Sequence, residues 1–263
     1  MPDAASSLGT LSPVKAAGKV QLAWYGGKSY IEAAKRADAE VFARVINEDG
    51  TKGYYSHLIT NVNNPIVQEI DLEAGNGDQY ILENGQDLTF AFNDPNSTSG
   101  FLVPNYYVFA KNSVDPRTAF SEEPIFAGSH EATLQAVINN QVDVATNNSE
   151  QLINLEKNNP EDLKQVQVIW TSPEIPSDPI AYRKDMPDCL KASIKDFVYN
   201  YDDLAILNPL GWAGFEAAKD ADWNPIRELN IGTQIAEIEA DETMSADSKK
   251  EQIDALKKEL AAL

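Results

Sequence analysis

Two stretches of the chain echo one another: Gly18-Lys19-Val20-Gln21-Leu22-Ala23 and Asn140-Gln141-Val142-Asp143-Val144-Ala145 share one alternating apolar pattern, each following a helical stretch. Two lobes of similar build produce such an echo, and the recurring order of helix, short strand and polar loop is that of layered α/β structure. The 263 residues suffice for one large domain or two of ordinary size, and the hydrophobic content of 43% is enough for a real core.

The pattern can be followed along the chain. Lys19 to Tyr25 alternates as a strand before Gly26-Gly27, and Ser29 is a plausible cap for a helix through Ile31 to Arg36. Ala39 to Val45 and Tyr54 to Thr60 read as strands, and the breaker cluster Asn61-Val62-Asn63-Asn64-Pro65 suits a crossover between lobes. Gly75 to Gly85 carries the turn signals of a surface insertion or hairpin. Pro176, Pro179 and Pro187 mark a second crossover, which divides the chain into lobe one (1–61), lobe two (62–178), a return to lobe one (179–226) and a helical tail (227–263). In the tail, apolar residues at spacings of three and four predict two amphipathic helices split near Asp241-Glu242-Thr243, with Ser248 or Ser245 as the second cap. That stripe packs on its own lobe in this reading, while also permitting a homodimer.

Charge and residue counts exclude several functions. A formal net charge of −20 repels nucleic acid and anionic membrane, and disfavours a strongly anionic ligand unless that ligand carries a positive group. The single cysteine, Cys189, rules out an internal disulfide and is read as a small buried hydrophobe. Two histidines are too few for a histidine-built metal site, and no cofactor is indicated. The opening MPDAASSLGT has neither the basic leader nor the apolar stretch of a signal peptide.

The segment Phe92-Asn93-Asp94-Pro95-Asn96-Ser97-Thr98-Ser99-Gly100-Phe101 follows a strand, Asp87 to Phe92. A helix cap uses one hydroxyl, and this segment offers three. The surplus suggests an oxyanion held where free N–H groups and the helix dipole favour negative charge; a capped surface turn is the plain alternative. Gly128-Ser129-His130-Glu131 opens a helix after the strand Ile125-Phe126-Ala127, so His130 sits in a first turn as a neutral donor to an anion or as a simply hydrogen-bonded histidine. His57, inside a strand pattern, is read as structural. Ligands of open α/β sheets bind beyond the carboxyl ends of strands, which would gather Tyr25, Ser97 and Asn147 to Glu150 around one cleft. Glu150 and Asp178 are acids in loops near predicted strand ends. No nucleophile elbow, P-loop, GxGxxG or HExxH motif accompanies them, so the residues suit binding better than catalysis.

The stretches AWYGGKSYIEAAKRADAEVFARVINEDGTKGYYSHLI, NDPNSTSGFLVP, GSHEATLQAVINNQVDVATNNSE and IPSDPIAYRKDMP together resemble the phosphonate-binding proteins of bacterial ABC importers, from about Ala16 to about Ala218. The resemblance implies an α/β, two-lobed periplasmic-binding-protein fold (type II-like) with a hinge and C-terminal helices, a periplasmic location and a membrane-embedded permease as partner. It implies no enzymatic activity. By motif, Ser97, Thr98, Ser99 and His130 would hold phosphonate oxygens and Tyr54 would line the site. In the branch that takes up 2-aminoethylphosphonate, carboxylates in the NxE and PxDP contexts bind the ligand ammonium; here these are Glu150 and Asp178. The family begins with a signal peptide and a β-α-β unit that this sequence does not match, and Leu8 stands about where the family has an aromatic ligand contact. The alternatives are a phosphate or phosphite binder, a phosphonate hydrolase or lyase, and a shortened chain that binds nothing.

Overall fold

The computed structural model describes residues 20–263, so the expectations for Gly18, Lys19, Leu8 and the stretch upstream of Ala16 lie outside the described residues. In chain order the elements are β1 (Leu22–Trp24), α1 (Gly27–Ala37), β2 (Ala39–Asn47), β3 (Gly53–Tyr54), β4 (Ser56–Asn61), α2 (Gly77–Asn84) and β5 (Phe90–Phe92). A helical run over 98–112 follows, then β6 (Ile125–Phe126), α3 (His130–Ile138), β7 (Val144–Asn148), α4 (Ser149–Asn158), α5 (Pro160–Leu163) and β8 (Val166–Thr171). The chain ends with β9 (Ile175–Pro176), β10 (Pro179–Arg183), α6 (Asp188–Tyr199), α7 (Leu204–Leu207), β11 (Trp212–Ala217), α8 (Asn224–Ala240) and α9 (Ala246–Leu260). These elements form two compact units, one of residues up to Tyr54 with Glu174–Ile226, the other of Tyr55–Pro173 with Arg227–Leu263.

The first unit is built on an antiparallel sheet of order β1-β10-β2-β11, with β2 central. Phe42 of β2 stacks on Tyr182 of β10 at 4.7 Å between ring centroids, and the Tyr199 hydroxyl donates to the Phe42 carbonyl at 2.6 Å, fixing α6 to the sheet. Ser29 lies inside α1 instead of capping it. Gly26 is the cap residue, and the Ser29 hydroxyl donates back to its carbonyl at 3.0 Å. The helix starts that early because Gly27 lets the backbone approach Trp223 and Ile226, whose side chains would lie 3.1 Å from an added Cβ. Cys189, expected to be buried, is exposed on α6, a helix with no fully buried residue.

The second unit has a five-stranded sheet of order β6-β5-β7-β4-β8, in which β6, β5 and β7 run parallel and β4 runs antiparallel to both of its neighbours. Strand alternation sorts the core into two faces. Leu58, Phe90, Phe92 and Val144 join one cluster with Phe109 and Phe120, and Ile59, Ala91 and Ala145 join the other with Leu134 and Val137. The edges of the parallel strands are tied by Asp143, which accepts from the Thr89 N–H (2.9 Å), the Thr89 hydroxyl (2.7 Å) and Asn64 (3.0 Å). Burial pushes its carboxyl up, but these donors outweigh burial and hold it below the usual range.

Three expectations differ from the structure here. The segment around Gly75–Gly85 is the helix α2, held by tertiary packing: Ile81 is fully buried, and Gly77 lies so close to the Ile169 carbonyl that an added Cβ would sit 2.3 Å from it. The first boundary between units falls at Tyr54/Tyr55, ahead of the breaker cluster, because 56–61 is the strand β4 of the second sheet; Asn61 and Asn64 then shape a turn into a short 3-10 helix, Pro65–Gln68. The return falls at Pro173/Glu174 and not after 178. The tail is two helices, as its periodicity predicts, and the second is capped by Ser245, whose hydroxyl accepts from the Ser248 N–H at 3.3 Å. In α8, Ile231 is buried and Gly232 abuts Tyr106, so this helix packs on the second unit, whereas α9 buries no residue fully.

Candidate functional site

The parallel strands β5 and β6 end in polar loops that lead to helix starts, and β7 runs directly into one, which brings three helix N-termini to the carboxyl edge of one sheet. The β5 and β6 loops are pinned together: Ala127 N–H donates to the Phe92 carbonyl (2.9 Å) and Gly128 N–H to the Asn93 carbonyl (2.8 Å). Gly128 sits at φ +94°, a conformation that favours glycine.

After β5, Asp94 accepts from the Asn96 N–H at 2.8 Å, and the Ser97 hydroxyl accepts from the Gly100 N–H at 2.9 Å. Ser97 is therefore the cap, and it is the one hydroxyl of the three that capping needs. Gly100 is required by close approach, since a Cβ there would lie 2.3 Å from that of Asn93. Thr98 and Ser99 are both buried. The run that follows is wound as π-helix over Thr98–Leu102 and Asn105–Phe109 and ends in a 3-10 turn, Ala110–Asn112. Its first carbonyls are engaged from the sheet: the Ser56 hydroxyl donates to the Ser99 carbonyl at 2.6 Å, and the Thr146 hydroxyl to the Gly100 carbonyl at 2.7 Å. Bonds from outside the helix account for the wide first turn.

His130 is the first residue of α3, with Ser129 capping through the Ala132 N–H at 3.0 Å. Its Nε2 lies 3.2 Å from the Ser99 hydroxyl oxygen, and its Nδ1 is enclosed without a hydrogen-bond partner. Burial pushes the imidazole down to about 4, so it is neutral near pH 7. The side-chain amide of Asn147 donates to the His130 carbonyl (2.9 Å) and the Thr133 hydroxyl (3.1 Å), setting α3 against β7. Asn148 caps α4 by accepting from the Gln151 N–H at 2.8 Å, and its amide nitrogen lies 3.4 Å from the Ser99 hydroxyl. Glu150 follows in the first turn of α4. Although the helix dipole favours a carboxylate there, burial pushes its carboxyl up to about 7.

Ser97, Thr98, Ser99, His130, Asn148 and Glu150 thus lie at neighbouring helix starts of one unit, and Ser97, which only accepts in its capping bond, keeps its own proton to donate. Ser56 and Thr146 do not stand out in the sequence as site candidates, whereas Asn147 and Asn148 are marked by their position at the end of a strand, Asn148 as the N-cap directly after it. In the other unit, the Tyr54 hydroxyl donates to Asp178 Oδ1 at 3.3 Å, and pairing of β3 with β9 places the two residues on adjacent segments. Tyr25 is buried there, and burial pushes its phenol up to about 12. His57 lies 3.0 Å from the Thr171 hydroxyl, and burial lowers its pKa. An open groove of about 420 Å³ beside α2 and β8, lined in part by Asn76, Asp78, Trp170 and Thr171, contains none of the candidate residues. Among the described residues no cluster of three or more His, Cys, Asp or Glu could hold a metal ion.

Chemically, the second unit offers buried hydroxyls and helix-start amides for an oxyanion, next to an acid whose ionisation is costly without a cation. A family described as "ABC transporter, phosphonate, periplasmic substrate-binding protein" matches residues 14–223. The chain is similar to the phosphonates-binding periplasmic protein of Escherichia coli (strain K12), with 44% identity over 88% of this chain and 66% of the relative, so it spans just under two thirds of that protein. It is similar in structure to a binding protein component of an ABC phosphonate transporter from Pseudomonas aeruginosa, with a TM-score of 0.86 and 39% identity over 97% of this chain and 82% of the other. The fold is shared with a Prochlorococcus marinus protein solved with methylphosphonate, at a TM-score of 0.72 and 23% identity over 85% of this chain and 82% of the other. The two-lobed α/β fold of periplasmic binding proteins is therefore the architecture here, and the chain belongs to the family of periplasmic substrate-binding proteins of phosphonate ABC transporters.

Proposed function

We propose that this chain is the solute-binding component of a phosphonate importer and that its ligand is 2-aminoethylphosphonate or a close relative. One observation carries the reading: a neutral donor set at Ser99 and His130 shares its unit with an acid at a helix start, Glu150, whose carboxyl is raised by burial. Donors without a fixed positive charge suit a chain of net charge −20 that must accept a zwitterion, and an acid raised to about 7 gains most from an ammonium. Ser97, Thr98 and Ser99 are assigned to the phosphonate oxygens, with His130 acting on the anion through its hydrogen bond to Ser99, and Glu150 is assigned to the ammonium. Tyr54 and Asp178 are assigned to ligand binding from the first unit on the strength of their sequence motifs. A permease is the partner, and the periplasm the location, by analogy with the family.

The pairing of Ser99 with His130 also has the outline of a nucleophile and its base, but two features argue against hydrolysis. No carboxylate orients the imidazole at Nδ1, and a histidine held near pKa 4 is a weak general base at neutral pH. Titration calorimetry tests the reading with three ligands: 2-aminoethylphosphonate, methylphosphonate and phosphate. Preference for the first by tenfold or more is expected, with the ligand recovered unchanged. Equal affinity for all three would refute the ammonium assignment, and product formation would refute the binding assignment.

A further inference from the structure

We propose that Asn148 is a positioning residue that fixes the polarity of the Ser99 hydroxyl, committing its single proton outward to the ligand. This inference rests on the phosphonate reading for its ligand, but not for its geometry. A serine hydroxyl has one proton and two lone pairs. Asn148 Oδ1 is held by the Gln151 N–H at 2.8 Å, which fixes the amide so that the group 3.4 Å from Ser99 Oγ is the NH₂ donor. One lone pair of Ser99 is thereby filled.

The second neighbour is His130 Nε2 at 3.2 Å. If Nε2 accepted the serine proton, Nδ1 would carry a hydrogen with no partner in an enclosed position. If Nε2 carries the hydrogen, Nδ1 keeps only an unused lone pair. An orphaned buried N–H is the costlier arrangement, so Nε2–H donates to Ser99. Both lone pairs of Ser99 are then filled, and its proton can only be donated. The site would accept a deprotonated phosphonate oxygen at this point and disfavour a P–OH. Because Asn148 makes both bonds with one amide, the capped start of α4, which carries Glu150, is coupled to the anion donors.

The test begins on the ligand-free chain, with long-range ¹⁵N–¹H correlation of the His130 ring. The Nε2–H tautomer is expected, and an Nδ1–H tautomer would overturn the inference. Calorimetry with 2-aminoethylphosphonate and methylphosphonate then compares S99A, N148S and N148D. Serine and aspartate both keep the helix cap, so thermal unfolding should change little. N148S should weaken both ligands about tenfold, and S99A/N148S should be no weaker than S99A alone, since both act through one proton. N148D, whose carboxylate captures that proton and repels the anion, should weaken both about a hundredfold. Fully additive losses in S99A/N148S, or N148S binding as tightly as the parent, would overturn the inference. A chain with the Nε2–H tautomer that binds no phosphonate would uphold the polarity of Ser99 and refute the functional reading instead.

Discussion

Replacing Glu150 by Gln should make the ligand-free chain more stable at pH 8 while impairing its function. Burial raises the carboxyl from 4.5 to about 7, a difference of about 2.5 units, or about 3 kcal/mol. For an acid whose folded pKa is raised, the folded state binds the extra proton between these two values. The cost of burial is therefore absent below pH 4.5, grows through the window and is complete above pH 7. E150Q should match the parent near pH 4.5 and exceed it at pH 8 by up to about 3 kcal/mol, roughly 6–12 °C in midpoint for a chain of this size. Ligand reverses the balance. An ammonium favours the ionised carboxylate, so binding at pH 6, where roughly nine tenths of Glu150 is protonated, should release about 0.9 proton, and at pH 8 about 0.1. Calorimetry in two buffers of different ionisation enthalpy measures the released protons. Subtracting E150Q from the parent removes the ligand's own titration. Equal proton release by the two proteins at pH 6, or E150Q no more stable than the parent at pH 8, would refute the argument.

Three further predictions follow from the same geometry. His130 has a folded pKa depressed from 6.5 to about 4, so its contribution is complete above pH 6.5 and lost as pH falls to 4; urea titrations of H130N should show an acid-side loss smaller by up to about 3 kcal/mol. G100A should lose about 1–3 kcal/mol in urea unfolding, because its methyl group would lie 2.3 Å from Asn93 Cβ, and parental stability would contradict the close approach. D178N should weaken 2-aminoethylphosphonate at least tenfold and leave methylphosphonate within about twofold in calorimetry, as loss of one charge-assisted partner predicts. Equal loss for both ligands would remove Asp178 from ammonium recognition.

Much of the geometry of these helix starts was legible because its signals are local. A strand, a Ser/Asp/Gly loop and a helix start lie within a few residues of each other at Phe92–Gly100 and at Phe126–His130, and capping chemistry acts over that range. The π winding after Ser97 was not legible, since it depends on hydroxyls of Ser56 and Thr146 that come from two other strands. Helix α2 was hidden by its own Gly and Asn residues; contact with β8, not propensity, makes it a helix. The Asn61–Pro65 cluster was read as a crossover because breaker residues report that the chain turns, not where it goes. Cys189 was misjudged because α6 keeps no side chain fully buried, which average burial statistics do not foresee.

The strand orders carry a consequence for how the chain reaches this state. The second unit's sheet is complete within 56–171, so every pairing partner is present once Thr171 has been made. The first unit's sheet needs β1 and β2 to meet β10 and β11, closing loops that contain the whole of the other sheet. Closing long loops costs more entropy and slows folding. The sheet of the half that holds Ser99, His130 and Glu150 can therefore form first, ahead of the tail helix that later packs on it, while Phe42 and Val41 wait unpaired for Tyr182 and Ala181. In a growing or exported polypeptide, the early strands of the first unit are the segment most in need of protection from mispairing.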